Sequence, residues 1–252
     1  MSTWHRTTVI ENRRWTESLF SLRAEGARLE FVAGQFVRLA VEAPQPGNEA
    51  AHVARPFSFV NPPGDPVLEF LGVIVPGGPL SPRLAALRPG EALYVAGNPA
   101  GFLVLSEVPP AHTLWLVATG TGIAPFLSIL QTDEPWQRFR TIVLVQAVRH
   151  ARELVYAGLI GRLAERAPGK LRHVTFVSRE RAPGSLEGRI PAAVRDGRLE
   201  AAAGVTLSTE GSHVMLCGNP DMLRDTQAAL AERGLRKHRR RAPGHITVES
   251  FW

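Results

Sequence analysis

The chain has 252 residues, 44% of them hydrophobic, with a formal net charge of +6. That length suits two ordinary domains and buries a substantial core without disulfide staples. The single cysteine, Cys217, excludes an intramolecular disulfide and any four-cysteine iron–sulfur or zinc site carried by this chain alone, so no metal is expected. The N-terminal MSTWHRTTVIENRRW has no apolar segment of signal-peptide type, and no apolar run approaches the roughly 20 residues of a membrane span, so a cytoplasmic location without membrane contact is expected. The positive charge points to an anionic partner: nucleic acid, a membrane surface, a nucleotide or an acidic protein.

The first hundred residues read as β structure. Apolar runs at Phe36–Val41, Phe57–Val60, Val67–Val75 and Ala92–Ala96 lie between glycine and proline punctuation, the pattern of an antiparallel barrel or sandwich. One short helix interrupts them. Ser81 is placed to cap it, with Pro82 at the first helical position, and it should end near Leu87. The texture changes at Glu107-Val108-Pro109-Pro110. Beyond it, strands at Leu114–Ala118, Thr141–Ala147, Leu171–Val177, His213–Cys217 and Ile246–Phe251 alternate with helices at Ile123–Leu130, near Arg152–Glu165, and at Asp221–Arg233. Strand–helix alternation with apolar strands predicts a parallel, doubly wound sheet. The one compositionally biased segment is RKHRRR at Arg236–Arg241.

The most informative local feature is Gly120-Thr121-Gly122-Ile123-Ala124-Pro125, directly after a predicted strand. Glycines at a strand-to-helix turn let a pyrophosphate approach the backbone, and the helix start offers free N–H groups. A plain tight turn is the equal alternative for a lone glycine pair. An NADH-preferring fold carries an acidic residue about 20 positions further on, where this chain has Arg149; Arg179 ends the third strand and Arg189 follows. Each arginine alone reads as a surface charge. Three at the ligand edge of one sheet favour a 2′-phosphate, hence NADPH. In the first half, Arg55, Phe57 and Phe59 share one face of a strand and Ser58 takes the other, which is also ordinary alternation. The helix start at Gly78-Pro79-Leu80-Ser81 is a second anion-site candidate. Cys217-Gly218-Asn219-Pro220 ends a strand at the edge of the parallel sheet, where a cysteine is commonly a small core residue. The chain closes on two aromatics, Phe251 and Trp252.

Taken in order, RPFSFV at 55–60, GGPLSPRL at 77–84, GTGIAP at 120–125, VSRE at 177–180, GRIP at 188–191, CGNP at 217–220 and the terminal VESFW resemble the bacterial type of the ferredoxin/flavodoxin–NADP reductase family over nearly the full chain. The resemblance implies an antiparallel β-barrel that binds FAD, residues 1–106. An α/β doubly wound parallel-sheet domain for NADP follows, residues 107–252, with an aromatic tail returning to the flavin. It implies that Arg55 faces the flavin pyrophosphate beside Pro56, that Phe57 packs on the isoalloxazine and that Ser58 lies near its N5 edge. Gly78, Leu80 and Ser81 would bind FAD phosphate, and Gly120, Thr121 and Gly122 would bind NADP. Arg149, Arg179 and Arg189 match the positions expected to hold the 2′-phosphate. Cys217 lies where the nicotinamide would dock, Phe251 would cover the other flavin face, and Trp252 would lie against the adenosine. Phe57 and Phe251 are phenylalanine where the family can carry tyrosine. Ser58, Cys217 and Glu249 are the candidate catalytic-site residues, as positioning groups; for Glu249 an exposed strand position is the equal alternative.

The implied reaction passes a hydride from NADPH to flavin N5 and then single electrons to an acidic carrier, ferredoxin or flavodoxin. A flavin reductase or an oxygenase reductase component is the second reading. A nucleic-acid-binding module, suggested by the positive charge and RKHRRR, is the third. The third is disfavoured because the aromatics and cations fall at strand ends and glycine turns instead of forming stacking platforms; no nucleic-acid partner is expected.

Overall fold

The computed structural model describes residues 3–42 and 53–250. They divide into two units, Met1–Phe102 with Ala124–Gln131, and Leu103–Ile123 with Thr132–Trp252. The first unit contains β1 (Trp4–Arg14), β2 (Leu19–Glu25), β3 (Phe36–Ala40), β4 (Arg55–Ser58), β5 (Leu68–Val73) and β6 (Ala92–Ala96). These strands pair antiparallel in the order β4-β3-β6-β1-β2-β5. Beyond β4, Phe59 bridges to Phe70 on β5, and the Val60 N–H donates to the Glu69 carbonyl at 2.8 Å. That bridge joins the two ends of the strand order and closes the sheet into the expected barrel. Its core holds Phe20, Leu39, Phe59, Phe70 and Leu93.

Three details differ from the sequence expectations. β1 and β2, the longest strands of the barrel, have no counterpart among the predicted runs. Phe59 does not share the partly exposed setting of Phe57; it is fully buried and stacked on Phe31 at 3.9 Å between centroids. Helix α1 (Ser81–Ala86) begins one residue early, so Leu80 is the N-cap, without a side-chain cap bond. The Ser81 hydroxyl instead accepts from the Val75 N–H at 2.9 Å, folding the preceding loop back on the helix start.

Helix α2 (Ala124–Leu130) belongs to the first unit. Ser128 Oγ donates to the Asn61 carbonyl and the Gln131 amide donates to the Val60 carbonyl, both at 2.7 Å.

The second unit has β7 (Thr113–Thr119), β8 (Thr141–Val148), β9 (Leu171–Val177), β10 (Leu186–Glu187), β11 (Ser212–Gly218) and β12 (Ile246–Ser250), all parallel, in the order β10-β9-β8-β7-β11-β12. The inner strands β7, β8 and β11 are apolar nearly throughout, as strands covered on both faces require. The chain winds outward from β7 through β8 to β9, then returns to the other side of β7 with β11. The order therefore reverses between β7 and β11, a doubly wound sheet with its switch point there. Besides α3 (Glu134–Arg138) and α4 (Ala157–Arg166), it carries α5 (Ile190–Arg195), α6 (Arg198–Ala203) and α7 (Pro220–Ala231). Buried residues of α5, α6 and α7 share one hydrophobic core with Trp115, Val143, Phe176 and Leu216 of the sheet. β11 is interior, flanked by β7 and β12; Cys217 therefore lies inside the sheet and not on its edge strand, a correction that follows from β12 folding back alongside.

Candidate functional site

In the barrel, β4 ends the strand order, which is why Pro56 is tolerated on it without a ladder N–H. Arg55 is exposed and, among the described residues, donates to the neighbouring Ala54 carbonyl. Phe57 is half-buried and lies against Gly72 of β5, where an added Cβ would come within 3.1 Å of its ring. Ser58 points the other way and is 3% exposed, and its hydroxyl has no hydrogen-bond partner. A buried orphan hydroxyl costs on the order of 1–3 kcal/mol unless something completes it. At the start of α1, Leu80 is buried, Gly78 donates to the Val75 carbonyl, and the Ser81 hydroxyl is occupied as acceptor.

In the parallel sheet, the switch point brings two turns together. Gly120–Ile123 makes a single 3-10 turn after β7, with Gly120 at φ +54°. A Cβ on Gly122 would overlap the Cys217 carbonyl oxygen and come within 2.7 Å of its carbon. A Cβ on Gly218 would overlap Thr119 Oγ1, which accepts from the Asn219 N–H at 3.1 Å. The two glycine turns are thus packed backbone to backbone. Asn219 also caps α7, accepting from the Asp221 and Met222 N–H groups. Thr119 and Asn219 are structural supports of this turn pair that the sequence reading passed over, although Asn-Pro before a helix is a legible capping signal.

Cys217 is fully buried, and its register partner on β12 is Glu249. Burial pushes the thiol well up, and the Glu249 charge adds to the effect. The group stays a neutral thiol and offers shape, not a nucleophile.

The three arginines follow adjacent strands: Arg149 after β8, Arg179 after β9 and Arg189 after β10. The Arg179 N–H donates to the Arg149 carbonyl at 3.0 Å, and Arg189 is the N-cap residue of α5. All three are exposed, and none makes an ion pair among the described residues. The nearby acids are engaged elsewhere. Glu153 accepts from the Arg149 and His150 N–H groups. Glu180 accepts from the Ala151 N–H at 2.7 Å and lies 3.4 Å from His150 Nδ1, contacts that hold its carboxyl below the usual range. The Glu153 and Glu180 carboxylates are thus engaged by backbone amides and His150, not by the three guanidinium groups. Phe251 and Trp252 lie outside the described residues.

Residues 116–228 match the family model of the oxidoreductase NAD-binding domain. The chain is 50% identical to the flavodoxin/ferredoxin–NADP reductase of Escherichia coli (strain K12), covering 100% of both chains. It is 33% identical to the ferredoxin–NADP reductase of Pseudomonas aeruginosa, covering 99% of this chain and 98% of that one. The crystal structure of a ferredoxin NADP+ reductase from Neisseria gonorrhoeae, with bound FAD and NADP, superimposes with a TM-score of 0.91 at 31% identity over 99% of both chains. With a closed antiparallel barrel, a doubly wound sheet and full-length identity of this order, the chain belongs to the flavodoxin/ferredoxin–NADP reductase family.

Proposed function

We propose that this chain is a cytoplasmic FAD-dependent reductase that moves electrons between NADPH and an acidic one-electron carrier, ferredoxin or flavodoxin. Residues 1–106 hold the flavin and residues 107–252 the nucleotide. The observation that carries this reading is the pair of half-sites on a chain 50% identical to a reductase of that name. No helix among the described residues is long and apolar enough to cross a membrane.

The barrel residues fit a flavin. The Ser58 hydroxyl, without a hydrogen-bond partner among the described residues, offers the bond that the N5 edge of the ring would require. Phe57 offers a half-buried ring for stacking, and Arg55 is an exposed cation for the pyrophosphate, with the backbone of Gly78 and Leu80 beside Ser81 as the second anion contact. When bound, FAD supplies the chemistry that takes two electrons as hydride and releases them singly. The Gly120, Thr121 and Gly122 turn presents backbone N–H groups to the NADPH pyrophosphate. The neutral thiol of Cys217 forms an uncharged wall for the nicotinamide, and Glu249 stands next to it in register. Phe251 would stack on the flavin and Trp252 on its adenosine. No acid–base residue is required for hydride transfer itself.

The purified protein is expected to be yellow, releasing about one FAD per chain on denaturation, and to bleach under anaerobic NADPH. Release of FMN, or no bleaching, would overturn the reading. Comparison of ferredoxin, flavodoxin and free FMN as acceptors separates it from a flavin reductase.

The unpaired arginines carry nucleotide choice. Arg189→Ala is expected to lower kcat/KM for NADPH by on the order of 1.5–3 kcal/mol, the loss of one charge-assisted contact. The NADH value should barely change. Equal losses for both nucleotides would show that Arg189 supports the fold instead.

The carrier needs a cationic surface. Arg83 is ion-paired with Glu42, whereas in the 236–241 run Arg240 alone is ion-paired among the described residues, to Glu107. Arg236, Lys237, Arg239 and Arg241 are exposed cations, which favours that run as the docking patch.

A further inference from the structure

β12 is an edge strand. Among the described residues its ladder partner is β11, with a bridge between Lys237 and Ile246 at its first residue. It nevertheless carries Glu249 and leads directly to the terminal aromatics. Parallel backbone bonds repeat every two residues. A two-residue slip would therefore keep every side chain on its face while moving Glu249 away from Cys217. Side-chain contacts across the strand pair resist such a slip.

The register supplies one. Val214, Leu216, Ile246 and Val248 enter the core beneath α5–α7. His213, Met215 and Cys217 therefore take the opposite face of β11, and Thr247 and Glu249 the matching face of β12. The Cys217–Glu249 pair sits at the carboxyl end of this column and His213 with Thr247 at the amino end. The His213 ring is 1% exposed, its Nε2 lies 2.8 Å from Thr247 Oγ1, and the Gly244 backbone bonds the ring as well. One buried imidazole thus holds the chain just before β12 and within it.

Burial first, and then the neighbouring cations and imidazoles, keep the ring neutral. His238 lies edge-on at 6.0 Å between centroids; His245 and Arg138 also face it, and Glu210 lines the adjoining cleft. A neutral ring keeps one nitrogen as acceptor for the Thr247 hydroxyl.

We propose that His213, acting through Thr247, is a positioning residue of the reductase: it locks the register of the edge strand and so places Glu249 beside Cys217 and sets where the aromatic tail departs. The proposal rests on the reading of Cys217 and Glu249 as groups at the nicotinamide end.

The test uses the FAD-bound enzyme. Thr247→Val removes the hydroxyl at constant shape, Thr247→Ser restores it, and His213→Gln provides a second disruption. Amide exchange at residues 246–250 is expected to rise about tenfold in Thr247→Val, the loss of one buried hydrogen bond, with β8 unchanged. In the same variant, kcat with NADPH and ferricyanide is expected to fall about tenfold while KM for NADPH stays within about twofold, because the phosphate-binding arginines lie at other strands. Thr247→Ser should recover both. Unchanged exchange at 246–250 in both disrupting variants overturns the lock. Raised exchange with unchanged kcat also overturns it, since the pair would then be structural and not positioning. If the unmodified enzyme fails to oxidise NADPH, the oxidoreductase reading falls, and the exchange pattern alone decides the register lock.

Discussion

Gly122→Ala is expected to lower stability by about 3 kcal/mol and to raise KM for NADPH severalfold. The reason is space and not backbone conformation. Gly122 has an ordinary φ, but a methyl group there would overlap the Cys217 carbonyl oxygen and come within 3.0 Å of Gly218 Cα. Both obstacles are backbone, so neither can rotate away, and overpacking of this kind costs 1–3 kcal/mol or more. The obstacles end β11 and the glycine turn follows β7, and these two strands are neighbours in a buried sheet and resist spreading. The relief available is displacement of the glycine turn itself, which is the proposed pyrophosphate cradle. Gly120→Ala is the control. It meets nothing within 4 Å but must adopt φ +54°, a strain of about 1–2 kcal/mol for a side-chain-bearing residue. Thermal unfolding of the FAD-bound proteins decides the order, at roughly 2–4 °C per kcal/mol for a chain of this size. A melting temperature for Gly122→Ala at or above that of Gly120→Ala would show that the two turns are not packed as described.

How much of this was legible beforehand varied with the physical origin of each feature. The second unit could be read because parallel strands are buried on both faces. Runs such as Leu114–Ala118 and Ile142–Val145 are therefore apolar without interruption. β1 and β2 escaped for the converse reason. The β1 sequence WHRTTVIENRR buries only Thr7 and Val9, and its pairing with β2 shifts register between Val9 and Glu11, so no clean alternation survives. α5 and α6 were missed because each is six residues long and set off by Arg189–Pro191 or Gly197, too short for a helical period to show. Ser81 carried a capping signal, yet the hydroxyl found a partner outside the helix, an outcome that depends on the loop at Val75.

At the candidate site, residue types were readable and contacts were not. The arginines at 149, 179 and 189 stood out because each follows a predicted strand or turn. That Glu153 and Glu180 turn to backbone amides and leave those arginines unpaired is a matter of loop geometry. The approach of Gly122 to Cys217 spans 95 positions, and the pairing of His213 with Thr247 spans 34. Neither leaves a local pattern, because long-range packing selects residues singly.

His213 sets the second large effect, loss of stability in acid. Burial, reinforced by His238, His245 and Arg138, pushes its pKa down from 6.5 to about 3. The folded protein thus keeps the ring neutral while the unfolded chain takes up a proton as pH falls below about 6.5. A depressed folded-state value means that the contribution is complete above the unfolded pKa and shrinks as pH falls, by about 1.4 kcal/mol per pH unit for one proton. Across the whole window, from about 6.5 to about 3, this amounts to on the order of 5 kcal/mol. Carboxylates also titrate there, so the unmodified protein alone cannot isolate the histidine. The difference from His213→Gln can, since every other group is common to both. At pH 7.5 the unmodified protein should be the more stable of the two. By pH 5 that advantage should shrink by about 2 kcal/mol, one and a half pH units of the linkage slope. Thermal unfolding of both FAD-bound proteins at the two pH values reads the change directly. An advantage that stays constant between pH 7.5 and pH 5 would mean that His213 takes up its proton in the folded state as readily as in the unfolded chain, and that the imidazole is not enclosed between β11, β12 and Gly244.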